Sequence, residues 1–222
     1  MSSPSVRLAL VISGRGSNAR ALAVAIQSGD IAAGDIPGAA IVAEIVLVIC
    51  NNPQAEGVLW AQSAGFPVEM LTPGCKKEQL DAELSALLIQ YGVDLVILAG
   101  FDRIVGPKTL DCVSGRILNI HPSLLPAFGG RGMVGDKVHR AVLDAGVTET
   151  GCTVHWVSEV VDGGPIVAQR RVPVYPDDSV ETLSKRVLSA EHLLYSEAVL
   201  LVLKKWPSEA PLFKTPEKEA LS

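Results

Sequence analysis

Asn119-Ile120-His121-Pro122-Ser123-Leu124-Leu125-Pro126 begins at the end of an apolar run, 115–120, that predicts a short buried strand. Asn119 and His121 occupy alternate positions, so their side chains point to the same side of an extended chain. Open α/β sheets bind ligands at the carboxyl ends of their strands. The pair therefore indicates a candidate active site, although a hydrogen-bonded Asn and a core His at a strand end would give the same pattern.

The segments around this stretch alternate between β-rich apolar runs and helix-like runs, which predicts a Rossmann-like α/β fold. The sheet is expected to be mainly parallel and flanked by helices, with antiparallel strands at one side, because two strand candidates come late without a helix between them. The predicted strands are 7–12, 45–50, 66–71, 94–99, 115–120, 152–157 and 166–174. The predicted helices are 19–28, 56–64, 77–91, 105–112, 138–145 and 179–203.

The length of 222 residues, 48% of them hydrophobic, suits one large domain with a sizeable core. We expect a single domain over 1–204, with an N-terminal nucleotide-binding lobe at about 7–118 and a C-terminal catalytic lobe at about 119–204. A glycine-containing linker is expected near Gly34 and Gly38. The segment 205–222 contains Pro, Lys and Glu and is expected to form a loose tail.

Charge and cysteine usage exclude several classes of protein. The formal net charge is −5 and the pI about 5.4, without the overall basicity of a nucleic-acid-binding protein. The four cysteines form no CxxC pair, so neither a zinc knuckle nor a disulfide scaffold is indicated, and free thiols suit a reducing cytosol. The N-terminus lacks a signal pattern, and no apolar run approaches the roughly 20 residues of a membrane helix. We therefore expect a cytoplasmic protein without nucleic-acid or membrane partners.

A glycine turn follows the first predicted strand and precedes the first helix. Gly14-Arg15-Gly16-Ser17-Asn18-Ala19 matches the dinucleotide fingerprint, but the second strand ends in Cys50-Asn51-Asn52, without the acid that holds a ribose. The turn is better interpreted as the cradle of a single phosphate. Gly16 permits close approach, and Ser17 and Asn18 supply donors. An ordinary tight turn remains the alternative.

Two acidic residues are further candidates. Asp162 lies in an Asp-Gly-Gly-Pro turn. Its side chain either stabilises the turn by local hydrogen bonding or acts as a carboxylate that keeps a nearby His charged. Glu191 falls on the apolar stripe of the last predicted helix, which comprises Val180, Leu183, Val187, Leu194 and Ala198. A buried carboxylate is costly unless satisfied, so Glu191 is expected to bond a ligand hydroxyl or amine, or to pair with a cation.

The other histidines show no metal-ligand spacing such as HExxH. His139, His155 and His192 are scattered along the chain, and we expect surface or core roles for them and no metal site.

Five motifs occur in a fixed order along the chain. They are Ser13-Gly14-Arg15-Gly16-Ser17-Asn18, Ala99-Gly100-Phe101-x-Arg103, Asn119 to Pro126, Gly151-Cys152-Thr153-Val154-His155 and Asp162-Gly163-Gly164-Pro165. With these motifs the chain resembles the phosphoribosylglycinamide formyltransferase family, from about residue 7 to about residue 203. The combination of Asn-x-His with Asp-Gly-Gly is typical of formyl-folate enzymes. The Ser-Gly-x-Gly-Ser-Asn loop is typical of the branch of these enzymes that binds a ribonucleotide.

The resemblance implies transfer of a formyl group from 10-formyltetrahydrofolate to the amine of glycinamide ribonucleotide in de novo purine synthesis. It implies two small-molecule substrates, no metal, and a monomer or homodimer. The residues that match the family's catalytic positions are Asn119, His121 and Asp162. Those that match its ribonucleotide contacts are Gly16, Ser17, Asn18 and Glu191, and those that match its folate contacts are Lys77, Arg103, Ile104, Val105 and Asn119.

The chain departs from the family pattern at three places. Asp102 replaces an apolar residue, often Met, beside the folate, and its carboxylate is expected either to alter pterin affinity or to face solvent. Lys77 replaces the Arg of some members, which weakens a bidentate grip on the folate glutamate to a point charge. The loop 127–137 is longer than in compact members, and its glycines predict a mobile flap over the nucleotide, with Arg131 as a possible phosphate ligand.

Three other functions compete with this one. Methionyl-tRNA formyltransferase is expected to carry an added C-terminal RNA-binding domain, and formyltetrahydrofolate hydrolase an N-terminal regulatory domain; neither is expected here. A non-catalytic nucleotide-binding module is the alternative of a different class, and it has no need for His121.

Overall fold

The computed structural model describes residues 5–29, 31 and 42–206, which form one seven-stranded sheet flanked by helices. The strands are β1 (Ser5–Ile12), β2 (Val42–Cys50), β3 (Val68–Met70), β4 (Leu95–Leu98), β5 (Ile117–His121), β6 (Glu149–Trp156) and β7 (Ile166–Pro173). The helices are α1 (Ser17–Gln27), α2 (Glu56–Ser63), α3 (Lys77–Gln90), α4 (Pro107–Cys112), α5 (Asp136–Asp144) and α6 (Val180–Lys204). The predicted linker near Gly34 and Gly38 and residues 207–222 of the predicted tail lie outside the described residues.

The sheet order is β3-β2-β1-β4-β5-β6-β7. The first five strands in this order run parallel, whereas β6 pairs antiparallel with β5, and β7 antiparallel with β6. Parallel neighbours need crossover connections, and helices supply them, while β6 and β7 follow each other directly. The predicted fold class, a mainly parallel sheet with antiparallel strands at one side, is confirmed.

The central strand β1 is buried on both faces, as its near-continuous apolar sequence predicts. Leu8, Leu10 and Ile12 pack in the cluster that includes α1, α2 and α6, whereas Ala9 and Val11 pack in the cluster that includes α3. Burying one such Leu or Ile side chain stabilises the fold by roughly 1.5–3 kcal/mol. Among the helices in the described ranges, none is long and apolar enough to cross a membrane.

The carboxyl ends of three adjacent parallel strands meet at one edge of the sheet. Val11 of β1 pairs with Leu98 of β4, and Leu98 pairs with Asn119 of β5. The segments that leave these strands are further joined where the Ser13 N–H donates to the Gly100 carbonyl at 3.1 Å. The glycine turn after β1, the loop after β4 and the end of β5 are therefore neighbours, and the candidate site residues gather there.

Candidate active site

Asn119 and His121 lie on one face of β5, as their alternation predicts. Their neighbours Leu118 and Ile120 pack into the core on the opposite face. Asn119 is half-buried and His121 is 4% exposed. The polar pair therefore ends a strand whose other face anchors it in the core.

One backbone carbonyl and one side-chain carboxylate contact the imidazole of His121. Its Nε2 lies 2.9 Å from the Phe128 carbonyl oxygen, and its Nδ1 lies 3.5 Å from Oδ2 of Asp162. Because a carbonyl oxygen only accepts, Nε2 carries a proton and donates it to Phe128. Nδ1 is thus the nitrogen that faces the carboxylate.

The turn that carries Asp162 is built for that side chain. Asp162 adopts a left-handed backbone (φ 56°), which Asp tolerates better than most residues, and its Oδ2 accepts a hydrogen bond from the Gly130 N–H at 2.9 Å. A Cβ on Gly164 would stand 1.8 Å from the Trp156 carbonyl oxygen, and one on Gly163 would stand 2.7 Å from the Val160 side chain. The glycines of the Asp-Gly-Gly motif therefore permit the turn that brings the carboxylate to His121.

His155 belongs to the same cluster, although the sequence indicated only a surface or core role for it. It pairs with Asn119 across the antiparallel strands β5 and β6, and its Nε2 lies 3.1 Å from Asn119 Nδ2. The same nitrogen lies 3.7 Å from Oδ1 of Asp162, and the side chain is buried. The only signal in the sequence was the place of His155 in the motif Gly151 to His155. Its contact with Asn119 depends on the register between β5 and β6, which a local sequence pattern does not reveal.

The glycine-rich loop 127–137 packs on the histidine and carboxylate at its start. Phe128 has a left-handed backbone (φ 55°) and directs its carbonyl to His121, and the Gly130 N–H bonds Asp162. A Cβ on Gly129 would stand 2.5 Å from Leu125 Cδ2, so a larger residue there would have to displace the Leu125 side chain. Arg131 is exposed. The movement of this loop over a nucleotide stays a prediction.

The glycine turn after β1 leads directly into α1, two residues earlier than the predicted start at 19. Gly16 has a left-handed backbone (φ 67°) that turns the chain so that Ser17 is the first helical residue. Within the described part of the chain no side chain caps α1, so the N–H groups of its first turn stay available. A helix terminus of this kind favours a phosphate.

A glycine of α2 supports this turn, and the sequence interpretation missed it. The Gly57 N–H donates to the Gly14 carbonyl at 3.1 Å, and a Cβ on Gly57 would stand 2.6 Å from Ile12 and 2.8 Å from that carbonyl. A glycine inside a predicted helix was the available signal, because such a position often marks close backbone approach.

Glu191 is buried beside Asn18, and among the described residues no cation pairs with it. It is 7% exposed, and its Oε2 accepts a hydrogen bond from Asn18 Nδ2 at 2.8 Å. Asn18 Oδ1 is buried and has no hydrogen-bond partner among the described residues. The Asn18 side chain is thus directed at α6, and what Asn18 offers to a phosphate at the turn is its backbone N–H.

Burial raises the pKa of Glu191 to about 7, which makes the folding free energy depend on pH. The folded protein holds this proton more tightly than the unfolded chain, so the free energy of unfolding should fall as pH rises from about 4.5 to about 7. Glu191→Gln should remove that fall and stabilise the protein above pH 7 by up to about 3 kcal/mol. Urea unfolding across this pH range measures it, with the exposed Glu159→Gln as control; identical pH profiles for wild type and Glu191→Gln would refute the explanation.

The predicted folate residues lie on two neighbouring segments. Arg103 is exposed and donates from Nη2 to the Cys75 carbonyl at 3.1 Å, which brings it close to Lys77, the first residue of α3. Ile104 is 42% exposed, whereas Val105 is buried in the apolar cluster that contains α3. Val105 therefore has only its backbone to offer a ligand.

Asp102 is tied to the ends of the neighbouring strands. Its Oδ1 accepts hydrogen bonds from Ser13 Oγ at 2.9 Å and from Asn51 Nδ2 at 2.8 Å, and its N–H donates to Ser13 Oγ at 3.0 Å. The carboxylate thus joins the segments that follow β1, β2 and β4. It connects the glycine turn to the segment that carries Arg103.

No group of three or more His, Cys, Asp or Glu side chains within the described ranges is arranged to hold a metal ion. The polar side chains at the edge of the sheet instead form hydrogen-bonding groups around the ends of β1 and β5. Such groups suit proton transfer and the stabilisation of a developing oxyanion.

Comparison with known proteins finds a match to the formyl transferase family over residues 6–199. The chain is 41% identical to the chloroplastic phosphoribosylglycinamide formyltransferase of Arabidopsis thaliana over 197 residues, 87% of this chain and 64% of that protein. It is 42% identical to the trifunctional purine biosynthetic protein adenosine-3 of Bos taurus over 88% of this chain but only 18% of that protein. The chain thus spans less than two thirds of these relatives.

Among solved structures, the fold matches glycinamide ribonucleotide transformylase 1 from Symbiobacterium toebii. The TM-score is 0.80 and the sequence identity 39%, and the match covers 90% of this chain and 88% of that chain.

Proposed function

The chain belongs to the formyl transferase family, and we propose that it transfers a formyl group from 10-formyltetrahydrofolate to the amine of N1-(5-phospho-D-ribosyl)glycinamide. The products are the N-formyl ribonucleotide and tetrahydrofolate, a step of de novo purine synthesis. The observation that carries the proposal is the approach of His121 Nδ1 to within 3.5 Å of Asp162 Oδ2, beside the Asn119 amide. The names of the relatives, phosphoribosylglycinamide formyltransferase among them, support it.

The reaction needs oxyanion stabilisation and one proton transfer. The amine nitrogen attacks the formyl carbon, so a C–N bond forms while the formyl oxygen takes up negative charge. Collapse then breaks the bond between that carbon and N10 of the folate, as the amine loses a proton and N10 gains one. No proton is consumed overall, and no covalent bond to the protein is required.

The groups around His121 match these needs. Because Nε2 is committed to the Phe128 carbonyl, a protonated Nδ1 donates to the oxyanion, and the Asp162 carboxylate stabilises the resulting imidazolium. Asn119 offers the N–H of Nδ2 that does not point at His155. We propose Asn119, His121 and Asp162 as the catalytic residues.

The proposed ribonucleotide site is the start of α1. The backbone N–H groups of Ser17 and Asn18 and the Ser17 hydroxyl hold the phosphate, and Gly16 lets the ligand approach the backbone. Glu191 contacts the sugar or amine of the same ligand, and the buried, unpartnered Asn18 Oδ1 beside it supports a polar ligand there.

The proposed folate site lies along the segments that carry Lys77 and Arg103. These two cations attract the anionic glutamate tail, Ile104 and the backbone of Val105 line the pterin, and Asn119 is shared with the reaction. The contacts of Asp102 with Ser13 and Asn51 favour a structural role for that carboxylate over direct contact with the pterin. The described residues are proposed as one catalytic domain in the cytoplasm.

Ser17→Asp should raise KM for the ribonucleotide at least tenfold and change kcat much less. Two like charges about 4 Å apart repel by about 4 kcal/mol at an effective dielectric constant of 20. An acid in the first turn of a helix is otherwise favourable, so the fold should be retained. Steady-state kinetics with varied ribonucleotide measure the effect, with Ser17→Ala as the control that removes only the hydroxyl. An unchanged KM would place the phosphate elsewhere.

A two-substrate assay with omission controls tests the proposed function. Formation of the formyl ribonucleotide should require both substrates. Release of formate from the folate alone, at a comparable rate, would identify a hydrolase. Formylation of methionyl-tRNA would identify another formyl-folate transferase. Binding of the ribonucleotide without turnover would identify a nucleotide-binding module.

A further inference from the structure

We propose that His155 is a positioning residue: a neutral imidazole that holds the Asn119 amide with its nitrogen directed for hydrogen-bond donation. The proposal rests on the proposed function, because Asn119 matters only if it donates to the formyl oxygen. It stands on the contacts of the His155 ring with Asn119 of β5, with the Trp156 carbonyl of its own strand and with Asp162. Neither the motif in which His155 occurs nor its spacing assigned it this role.

The tautomer of His155 follows from its backbone contact. Its Nδ1 lies 2.9 Å from the carbonyl oxygen of Trp156. A carbonyl oxygen has no proton to give, so Nδ1 must carry the proton of this hydrogen bond. In the neutral ring the other nitrogen, Nε2, then presents a lone pair and acts only as an acceptor.

The acceptor at Nε2 decides which end of the Asn119 carboxamide faces it. The two side chains meet because Asn119 and His155 are paired residues of β5 and β6, and Nε2 lies 3.1 Å from Asn119 Nδ2. The amide nitrogen donates one N–H to His155 and keeps its second N–H. With the carboxamide reversed, its oxygen would face a lone pair, and no N–H would remain for an oxyanion.

Burial of His155 favours its neutral form, although the neighbouring Asp162 carboxylate opposes this effect. The side chain is 2% exposed, and burial lowers its pKa. The titratable groups that face it are His121 from β5, which also disfavours a second positive charge, and Asp162 from the turn after β6. The distance of 3.7 Å from Nε2 to Asp162 Oδ1 is longer than a hydrogen bond. The charge of Asp162 thus remains available to His121.

Two substitutions separate the positioning role from packing. His155→Gln places an amide oxygen near the position of Nε2 and keeps an acceptor for Asn119, whereas His155→Phe keeps the ring without an acceptor. We expect His155→Phe to lower kcat roughly 10- to 100-fold, a smaller loss than the complete removal of an oxyanion donor causes. The KM values for the ribonucleotide and for the folate should each stay within about twofold of wild type. His155→Gln should recover most of kcat. Equal losses in the two variants, or no loss in His155→Phe, would overturn the proposal.

A second measurement keeps the test independent of turnover and of folding by the variants. In the ligand-free wild-type protein, ¹⁵N NMR of the histidine rings at pH 7 should show His155 protonated at Nδ1 and unprotonated at Nε2. The opposite tautomer, or a doubly protonated ring, would refute the proposal. If wild-type protein instead shows this tautomer but does not formylate the ribonucleotide, the proposed function fails while the assigned geometry of His155 stands.

Discussion

His121→Ala is expected to lower kcat for formyl transfer by on the order of 10²–10³, the usual cost of removing one oxyanion donor. The variant loses the ring nitrogen that faces Asp162 and that we propose as the oxyanion donor, since Nε2 is committed to the Phe128 carbonyl. KM for the ribonucleotide should change little, because the proposed phosphate contacts lie on α1. Single-turnover and steady-state kinetics with both substrates measure the loss.

His121→Gln is the companion variant that separates catalysis from folding. The Gln amide nitrogen reaches the position of Nε2 and donates to Phe128, so the loop 127–137 stays attached, while no titratable nitrogen faces Asp162. We expect a melting temperature near that of wild type and a kcat as low as that of His121→Ala. Near-wild-type turnover in His121→Gln would remove His121 from the chemistry.

Asp162→Asn should lower kcat by roughly 10²–10⁴, the range that positioned acid–base groups supply. Asn matches Asp in size, tolerates the left-handed backbone at φ 56°, and still accepts from the Gly130 N–H. The fold is therefore expected to survive, and only the charge that stabilises protonated His121 is lost. The measurement is kcat at saturating concentrations of both substrates.

The matched control for this change is Asp144→Asn, at an exposed position on α5. It should leave kcat and the melting temperature unchanged. If Asp162→Asn keeps more than half of the wild-type kcat, the carboxylate has no part in proton transfer and the turn serves structure alone.

The sequence predicted the fold well because its strands are apolar runs that end in glycine or polar turns. The strand predicted at 94–99 corresponds to β4 (Leu95–Leu98), and the one at 7–12 to β1 (Ser5–Ile12). The start of α1 was placed two residues late, because the left-handed backbone of Gly16 brings Ser17 into the helix. Local propensity does not report that conformation.

The site was predictable where one segment carries the signal. Alternation gave Asn119 and His121 a common face, and an acid on an apolar stripe marked Glu191. Contacts between distant segments were not predictable: His155 meets Asn119 through antiparallel register, and Gly57 meets Gly14 through the packing of α2. Asp102 acquires its bonds to Ser13 and Asn51 only when β1, β2 and β4 align.

The central claim is direct transfer of the formyl group to the amine beside His121. The sharpest test follows a ¹³C-labelled formyl group from 10-formyltetrahydrofolate by NMR, with wild type and His121→Gln compared at equal concentration. Our account predicts that the label appears in the N-formyl ribonucleotide, one equivalent per tetrahydrofolate formed, and that His121→Gln slows this transfer at least 100-fold. Label released as formate, or transfer at the same rate by both proteins, would contradict it.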